Sequence, residues 1–336
     1  MAIRDYQSGL SAVQIQQLLP STSKACARFA ARHGIPISEI VLPGDTVALK
    51  LGRSCDERTP KRVLVYFHGG GYMSPATSEH IAFPFGFDPK RAVENGVCVI
   101  VLPYGKASDL REDVRLIWLS HLQDLAAEHK NHYPRQLEQA VSLMAHLLHG
   151  ERIPASAITL LGDSAGGHLL LSLLLHLSHP NPRVPRLDPG GRFSAAVLLS
   201  PWVDMHSSAE SMLSNKHKDI LSAAALAYWA RNFMGLTDPD YWNSPLTAPP
   251  KWWGSVPVER MLTLYGDREL FCDDIRKFSA VVKEAHQGFL SIEVKGEMHE
   301  HMIMSRLLCI GKSCESERIL LGWLYDHLGV AKGEGT

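Results

Sequence analysis

Short runs of apolar residues recur along the chain and alternate with longer segments in which apolar residues repeat at helical spacing. The runs are rich in Val, Ile and Leu, as is typical of strands that are buried on both faces. They lie at 63–67, 97–102, 158–161, 195–199, 261–265 and 290–294. The segments with helical spacing lie at 136–149, 167–177, 273–286 and 317–328.

Strands that alternate with helices predict an α/β fold, with a mostly parallel central sheet and helices on both of its faces. Right-handed crossovers bring the loops that follow the parallel strands to one edge of such a sheet. We therefore expect the functional residues to lie at that edge.

Two regions depart from the alternation. Residues 1–60 are mostly helical in pattern, at 13–19 and 24–33, and are interpreted as an N-terminal cap segment. Residues 205–255 are rich in Trp, Tyr and Pro and interrupt the sheet, which predicts a cap over the site; ordinary surface packing is the alternative. The core then comprises 61–204 and 256–330.

Composition and charge narrow the possible partners. Of the 336 residues, 45% are hydrophobic and 21% are charged, which is enough to build a substantial core. The net charge of −1 provides no electrostatic basis for binding nucleic acid or an anionic membrane. The apolar stretch at 169–177 is too short to span a bilayer. We expect a small-molecule partner, while the oligomeric state stays open.

The six cysteines form no CxxC pair, and the first ten residues contain no apolar core of a secretory signal. Both features favour a reducing, cytoplasmic compartment.

The segment ITLLGDSAGGH at 158–168 passes from a predicted strand through a glycine turn into a predicted helix. It contains Gly162-x-Ser164-x-Gly166, and this strand–turn–helix context is the one in which a serine hydroxyl becomes an exposed nucleophile. The start of the following helix also favours developing negative charge. Ser164 is therefore the candidate nucleophile.

Three consecutive glycines follow the predicted strand 63–67, in the segment FHGGGY at 67–72. Glycines expose successive backbone amides without obstruction by a Cβ atom, so this loop is either a plain turn or an anion-binding loop. Together with the serine motif it predicts an oxyanion hole. The expected donors are the amides of Gly69, Gly70 and Ala165.

A serine nucleophile needs a base and an acid that orients the base, in the chain order Ser, acid, His. After the strand 261–265 the chain provides two carboxylates, Asp267 and Glu269. After the strand 290–294 it provides His299 and His301. Two histidines at this spacing without a third ligand make a poor zinc site, so no metal is expected.

The motifs HGGG at 68–71, GDSAGG at 162–167 and SPWVD at 200–204 resemble the hormone-sensitive-lipase-like branch of the α/β-hydrolases. The resemblance runs from about residue 60 to 328. It implies an α/β-hydrolase fold, with an eight-stranded, mostly parallel sheet and a helical cap, that hydrolyses carboxylic esters without a cofactor. The family's D-P-L-x-D spacing selects Glu269 as the acid, with Asp267 as the alternative, and its glycine–x–x–base pattern selects His299.

The expected function is therefore a serine esterase that forms an acyl-enzyme on a small or medium-sized ester. The same triad also suits an arylformamidase, a lactonase or a hydrolase of acylated secondary metabolites. A non-catalytic receptor, as in the gibberellin receptors that resemble this family, is disfavoured because those receptors lack the histidine.

Residues 105–123 interrupt a pattern of the resembled family. Joining Tyr104 directly to Asp124 restores the family's turn after its fourth strand. These 19 residues (123 − 104) are either a genuine surface insertion or an intervening sequence that a gene model has translated. The two interpretations stay equal.

Overall fold

The computed structural model describes residues 19–52, 62–105, 131–309 and 314–328. Its centre is one eight-stranded sheet with the order β1-β2-β4-β3-β5-β6-β7-β8. The strands are β1 (Ile37–Leu42), β2 (Thr46–Leu51), β3 (Arg62–Phe67), β4 (Val97–Val101), β5 (Ile158–Asp163), β6 (Ala195–Leu199), β7 (Met261–Gly266) and β8 (Phe289–Val294).

Strands β3 to β8 pair in parallel, whereas β1 pairs antiparallel with β2, and β2 antiparallel with β4. Each of the six predicted apolar runs forms one of the parallel strands, so the predicted fold class is confirmed. The carboxyl ends of β5, β7 and β8 consequently share one edge of the sheet.

The helices of the described residues connect and cover these strands. They are α1 (Thr22–His33), α2 (Ser78–Ala82), α3 (Pro89–Glu94), α4 (Arg135–Ala145), α5 (Ser164–Ser178), α6 (Ser211–Ser214), α7 (Ala223–Met234), α8 (Pro250–Trp253), α9 (Cys272–Ala285), α10 (His301–Leu307) and α11 (Glu315–Leu328). A π-helical turn, His146–Gly150, continues α4.

Alternation along the strands divides the core into two layers. On β3, Val63 and Val65 pack into one layer, and Leu64 and Tyr66 into the other. The first layer includes apolar residues of α4, α5, α7 and α9, and the second includes residues of α1, α10 and α11. Both faces of the sheet are therefore covered, which explains the nearly continuous apolar character of its strands.

The assignment of residues 1–60 to an N-terminal cap segment needs correction, because residues 37–51 contain two strands of the sheet. Strand β1 lies at the edge and buries only Ile40 and Leu42, so it lacks the continuous apolar run that identifies the inner strands. Helix α1 agrees with the prediction at 24–33, whereas most of the predicted helix at 13–19 lies outside the described residues.

Residues 205–255 contain α6, α7 and α8 and pack against the first core layer. Phe233 of α7 stacks on Tyr72 with ring centroids 4.0 Å apart. A Cβ atom on Gly71 would collide with the ring of Trp229, also on α7. Helix α7 therefore lies directly against the glycine loop.

The unusual segment at 105–123 lies outside the described residues except for Gly105. The amide of Gly105 donates to Gln139 (2.8 Å), and Gln136 donates to the carbonyls of Gly105 (3.0 Å) and Asn131 (2.6 Å). Gly105 and Asn131, which bound residues 106–130, are thus held side by side by one glutamine.

Among the described residues no helix combines the length and the apolar character that crossing a membrane would require. The cytoplasmic location and the absence of a nucleic-acid partner stay predictions.

Candidate active site

Ser164 lies at the sharp turn between β5 and α5, with a positive φ of 49°. A Cβ atom on Gly166 would collide with the carbonyl of Phe67, so only glycine permits this approach of the helix to β3. The packing of α5 against the strand thus explains the glycine spacing, and it leaves the serine side chain at the carboxyl edge of the sheet.

His299 reaches the serine from the turn that follows β8. Its Nε2 atom lies 2.9 Å from Ser164 Oγ, and the imidazole is buried. Phe271 contacts the imidazole edge to face, with centroids 5.1 Å apart. His301, the other candidate, begins α10, and no hydrogen bond joins it to Ser164 within the described residues.

Of the two candidate acids, the structure brings Glu269 to the histidine. Glu269 Oε2 lies 3.1 Å from His299 Nδ1, and Oε1 accepts from the Ser200 hydroxyl (2.7 Å) and the Gly266 amide (2.6 Å). Asp267 instead accepts from the amide of Gly296 at 2.6 Å and thereby joins the turns after β7 and β8.

Asp219 was not identified from the sequence, although it is buried beside the triad. Its Oδ1 accepts from the amides of Ile220 (2.7 Å) and His299 (3.1 Å), and its Oδ2 accepts from the amide of Leu270 (2.7 Å). The carboxylate therefore holds together the chain segments of the base and the acid. No local motif marks this position, since 80 residues separate Asp219 from His299.

The prediction for the oxyanion donors needs correction at Gly69. Its amide donates to Asp163 Oδ2 at 2.8 Å, so this N–H is not available to a substrate. The next two amides, of Gly70 and Gly71, and the amide of Ala165 donate to no acceptor in the described part of the chain. Gly70 and Gly71 have positive φ angles of 104° and 61°, which turn the loop back after β3.

Charge around His299 makes it a stronger base. Burial alone would lower the pKa of His299, but the hydrogen bond to Glu269 and the charges of Glu300, Glu269 and Asp219 outweigh burial and raise that pKa to about 9. Burial raises the pKa of Glu269, an effect that His299 and the amide of Gly266 oppose. The arrangement can therefore accept a proton from the serine.

A cluster of one histidine and two acidic residues lies on the Nε2 side of the His299 imidazole. His80, Asp163 and Glu300 are buried, and each has a potential ligand atom within 4.8 Å of the others. Among the described residues, these three have ligand atoms close enough together to hold a metal ion. Both oxygens of Asp163 already accept protein hydrogen bonds, from Tyr66 (2.5 Å) and from Gly69. Glu300, like Asp219, was not singled out from the sequence.

Comparisons with known proteins show the family of this chain. The family model described as steryl acetyl hydrolase matches residues 49–301. An acetyl-hydrolase of Streptomyces hygroscopicus is 26% identical over 256 residues, which cover 75% of this chain and 71% of that protein. Steryl acetyl hydrolase 1 of Saccharomyces cerevisiae is 21% identical over 72% of this chain, and this chain spans about half (53%) of its length.

Solved structures share the fold. A hormone-sensitive lipase from a metagenome library superimposes with a TM-score of 0.67 at 19% identity, covering 97% of this chain and 96% of that one. Carboxyl esterase 2 of Tuber melanosporum gives a TM-score of 0.63 at 19% identity over 89% of this chain and 88% of that one. Together with the family match, these findings confirm the resemblance noted in the sequence. The chain belongs to the steryl acetyl hydrolase family, has the fold of the hormone-sensitive-lipase-like α/β-hydrolases and is a carboxylic-ester hydrolase.

Proposed function

We propose that this hydrolase removes acetyl groups from acetate esters through an acyl-enzyme on Ser164, with His299 as the base and Glu269 as the orienting acid. The observation that carries the proposal is the continuous line of contacts between the three side chains, 2.9 Å from Ser164 to His299 and 3.1 Å from His299 to Glu269.

In the first half-reaction, Ser164 Oγ transfers its proton to His299 Nε2 and forms a bond to the carbonyl carbon of the ester. The negative charge on the carbonyl oxygen is met by the amides of Gly70, Gly71 and Ala165, and by the start of the 15-residue helix α5. His299 then gives its proton to the departing alcohol oxygen as the ester C–O bond breaks.

In the second half-reaction, water gives a proton to His299 and attacks the acyl-enzyme. Collapse of this intermediate breaks the bond to Ser164 Oγ, which recovers the proton from His299. Glu269 stays ionised throughout, and it holds the imidazole in the tautomer that presents Nε2 to the serine.

The position of Trp229 favours a substrate with a short acyl group. Its indole packs against Gly71, next to the proposed oxyanion donors, and only 6% of the residue is exposed. A large, buried aromatic ring beside this loop would limit the room for a long acyl chain. The names of the relatives, which are acetyl-hydrolases and steryl acetyl hydrolases, agree with this choice. Residues 205–255, which carry Trp229, would then act as the cap.

The test is hydrolysis of p-nitrophenyl acetate, butyrate and octanoate, together with fluorophosphonate labelling of Ser164. We expect kcat/KM to be highest for the acetate and Trp229→Ala to raise octanoate relative to acetate. Trp252→Ala is the matched control, because Trp252 stacks on His179 at 4.1 Å. Preference for octanoate in the wild type contradicts the acetyl assignment, and an unlabelled Ser164 contradicts the mechanism. Turnover of N-formylkynurenine but no ester would favour an arylformamidase.

A further inference from the structure

Glu300 immediately follows the proposed base and has a left-handed backbone conformation, with φ 49° and ψ 38°. Its amide donates to the Ser200 hydroxyl at 3.1 Å. The carboxylate is thereby directed inward, where Oε1 lies 3.8 Å from His299 Nε2 and Oε2 lies 3.6 Å from His80 Nε2. Glu300 is only 4% exposed, and Oε1 is buried without a hydrogen-bond partner in the described residues.

The unpartnered oxygen lies beside Asp163. A Cβ atom placed on Gly69 would be no more than 2.5 Å from both Asp163 Oδ2 and Glu300 Oε1, so the two oxygens face the same side of one peptide. Two carboxylates at such a site cannot both be ionised unless a cation lies between them. Without a cation, the pair must hold a proton. A shared proton also provides the partner that Oε1 otherwise lacks.

We propose that Asp163 and Glu300 share one proton, and that this acid pair joins the segment of Ser164 to the segment of His299 across Gly69 of the glycine loop. Asp163 directly precedes the serine, Glu300 directly follows the histidine, and the Gly69 amide donates to Asp163 at 2.8 Å. The pair is a positioning device for all three parts of the site. The inference rests on the function proposed above and extends it.

The environment favours a proton over a metal ion. The Thr77 amide donates to His80 Nδ1 at 3.3 Å, so that nitrogen presents a lone pair to it. The imidazole proton therefore lies on Nε2, which is 3.7 Å from Asp163 Oδ2 and 3.6 Å from Glu300 Oε2. Burial and the neighbouring Glu300 carboxylate hold the pKa of Asp163 well above its usual range.

Loss of the shared proton at alkaline pH should separate the segments that the pair joins, because two adjacent negative charges repel each other. The titratable groups facing the pair are Tyr66 from β3, His80 from α2, Tyr104 after β4, and His299 itself; Glu79 acts through His80. Burial, with the Asp163 charge, raises the pKa of Tyr66, and burial likewise raises that of Tyr104. Both tyrosines therefore stay neutral while the pair titrates.

The test compares Glu300→Gln with Glu300→Ala. The glutamine amide donates to an ionised Asp163 and so keeps the connection without a titrating proton. We expect Glu300→Gln to abolish the alkaline fall in kcat and, at its own pH optimum, to lower kcat much less than Glu300→Ala does. Glu300→Ala should lower kcat by roughly tenfold to a hundredfold with little change in KM, because the serine and histidine lose their alignment.

Glu79→Gln is the matched control, because it removes an equal charge beside His80 and should leave the alkaline fall in place. Infrared difference spectra should show the carbonyl stretch of a protonated carboxylic acid in the wild type and not in Glu300→Gln; this signal does not depend on turnover. Thermal melting at each pH separates loss of alignment from unfolding.

Three outcomes overturn the acid pair. They are an alkaline fall that persists unchanged in Glu300→Gln, a wild-type spectrum without the acid signal, and activity that a chelator removes and a divalent metal restores. Fluorophosphonate labelling of the same samples distinguishes the two proposals. An unlabelled wild type contradicts the catalytic serine, whereas a labelled wild type without the acid signal contradicts the pair alone.

Discussion

The imidazole of His299 lies between two buried acidic regions that differ in how their charge is satisfied. On the Nδ1 side, Oε1 of Glu269 accepts from the Ser200 hydroxyl and the Gly266 amide, while Oε2 faces Nδ1 itself. On the Nε2 side, Asp163 and Glu300 lie together, and one oxygen of Glu300 has no donor in the described residues.

The difference shows two ways of burying carboxylates beside one base. A backbone amide and a serine hydroxyl are donors at every accessible pH, so they keep Glu269 in place to orient the imidazole. A shared proton is lost as the pH rises, so the Asp163–Glu300 region is sensitive to its surroundings. Ser200 connects the two, since its hydroxyl donates to Glu269 and accepts from the Glu300 amide.

The largest effect should come from removing the nucleophile that both regions serve. Ser164→Ala should lower kcat on the order of 10⁶-fold, and His299→Ala by a similar factor, because members of a triad act as a unit. Ester turnover with each purified variant measures the loss, and circular dichroism checks the fold. Either variant keeping near-wild-type kcat would exclude the proposed mechanism.

Removing the Glu269 carboxylate, which contacts His299 Nδ1, should lower kcat by a smaller factor. Glu269→Gln is expected to lower kcat on the order of 10⁴-fold, because an amide favours the wrong imidazole tautomer. Steady-state kinetics at several pH values measures the effect.

Asp267→Asn is the matched control, since Asp267 contacts the amide of Gly296 and not the imidazole. It should lower stability by about 1 kcal/mol in urea unfolding and leave kcat nearly unchanged. A crippled Asp267→Asn beside a healthy Glu269→Gln would mean that the acid has been misassigned.

The two regions together should set the acid limb of the pH profile. His299 must be neutral to accept the serine proton, and its pKa in the free enzyme is raised to about 9. Well below that pH, kcat/KM should fall by about tenfold per unit; between pH 9 and pH 7 the fall is roughly fiftyfold, because half of His299 is still protonated at pH 9. Stability should depend on pH in the opposite direction to activity. The stabilisation from protonated His299 is present below pH 6.5 and is lost as the pH rises through about 9. A flat kcat/KM profile from pH 6 to 9 is incompatible with this expectation.

Asp219→Asn should have a smaller kinetic effect than the loss of any triad member. Asp219 accepts three backbone N–H groups, whereas an asparagine presents one oxygen and an NH₂ group to them. We expect a stability loss of about 1–3 kcal/mol and a decrease in kcat of roughly tenfold, because the turns that hold His299 and Glu269 loosen. Chemical denaturation and kinetics on one preparation measure both. Unchanged stability would show that the lost contact is replaced.

The inner part of the fold could be predicted because burial leaves a local record in the sequence. The strands β3 to β7 are buried along most of their length and are covered on both faces, and each contains a readable apolar run. The edge strand β1 exposes Val41 by 75% and contains no such run, so the sequence pattern does not mark it as a strand.

Within the site, local motifs identified the residues that follow strands, and long-range contacts decided the rest. Ser164, Glu269 and His299 lie after β5, β7 and β8, where a pattern along the chain can mark them. The occupied amide of Gly69 depends on Asp163, 94 residues away, and the roles of Asp219 and Glu300 likewise arise only after folding. Contacts between residues so far apart in the chain produce no local motif that a sequence pattern could identify.

The side-by-side position of Gly105 and Asn131 has a consequence for how freely the chain between them can change in length. Gln136 hydrogen-bonds to both Gly105 and Asn131, so any chain that joins these two residues meets the core at the same two points. Each doubling of its length adds only about 0.6 kcal/mol of closure entropy. A change in the length or sequence of this connection should therefore leave the catalytic chemistry unchanged, so evolution can vary the connection without disturbing the reaction.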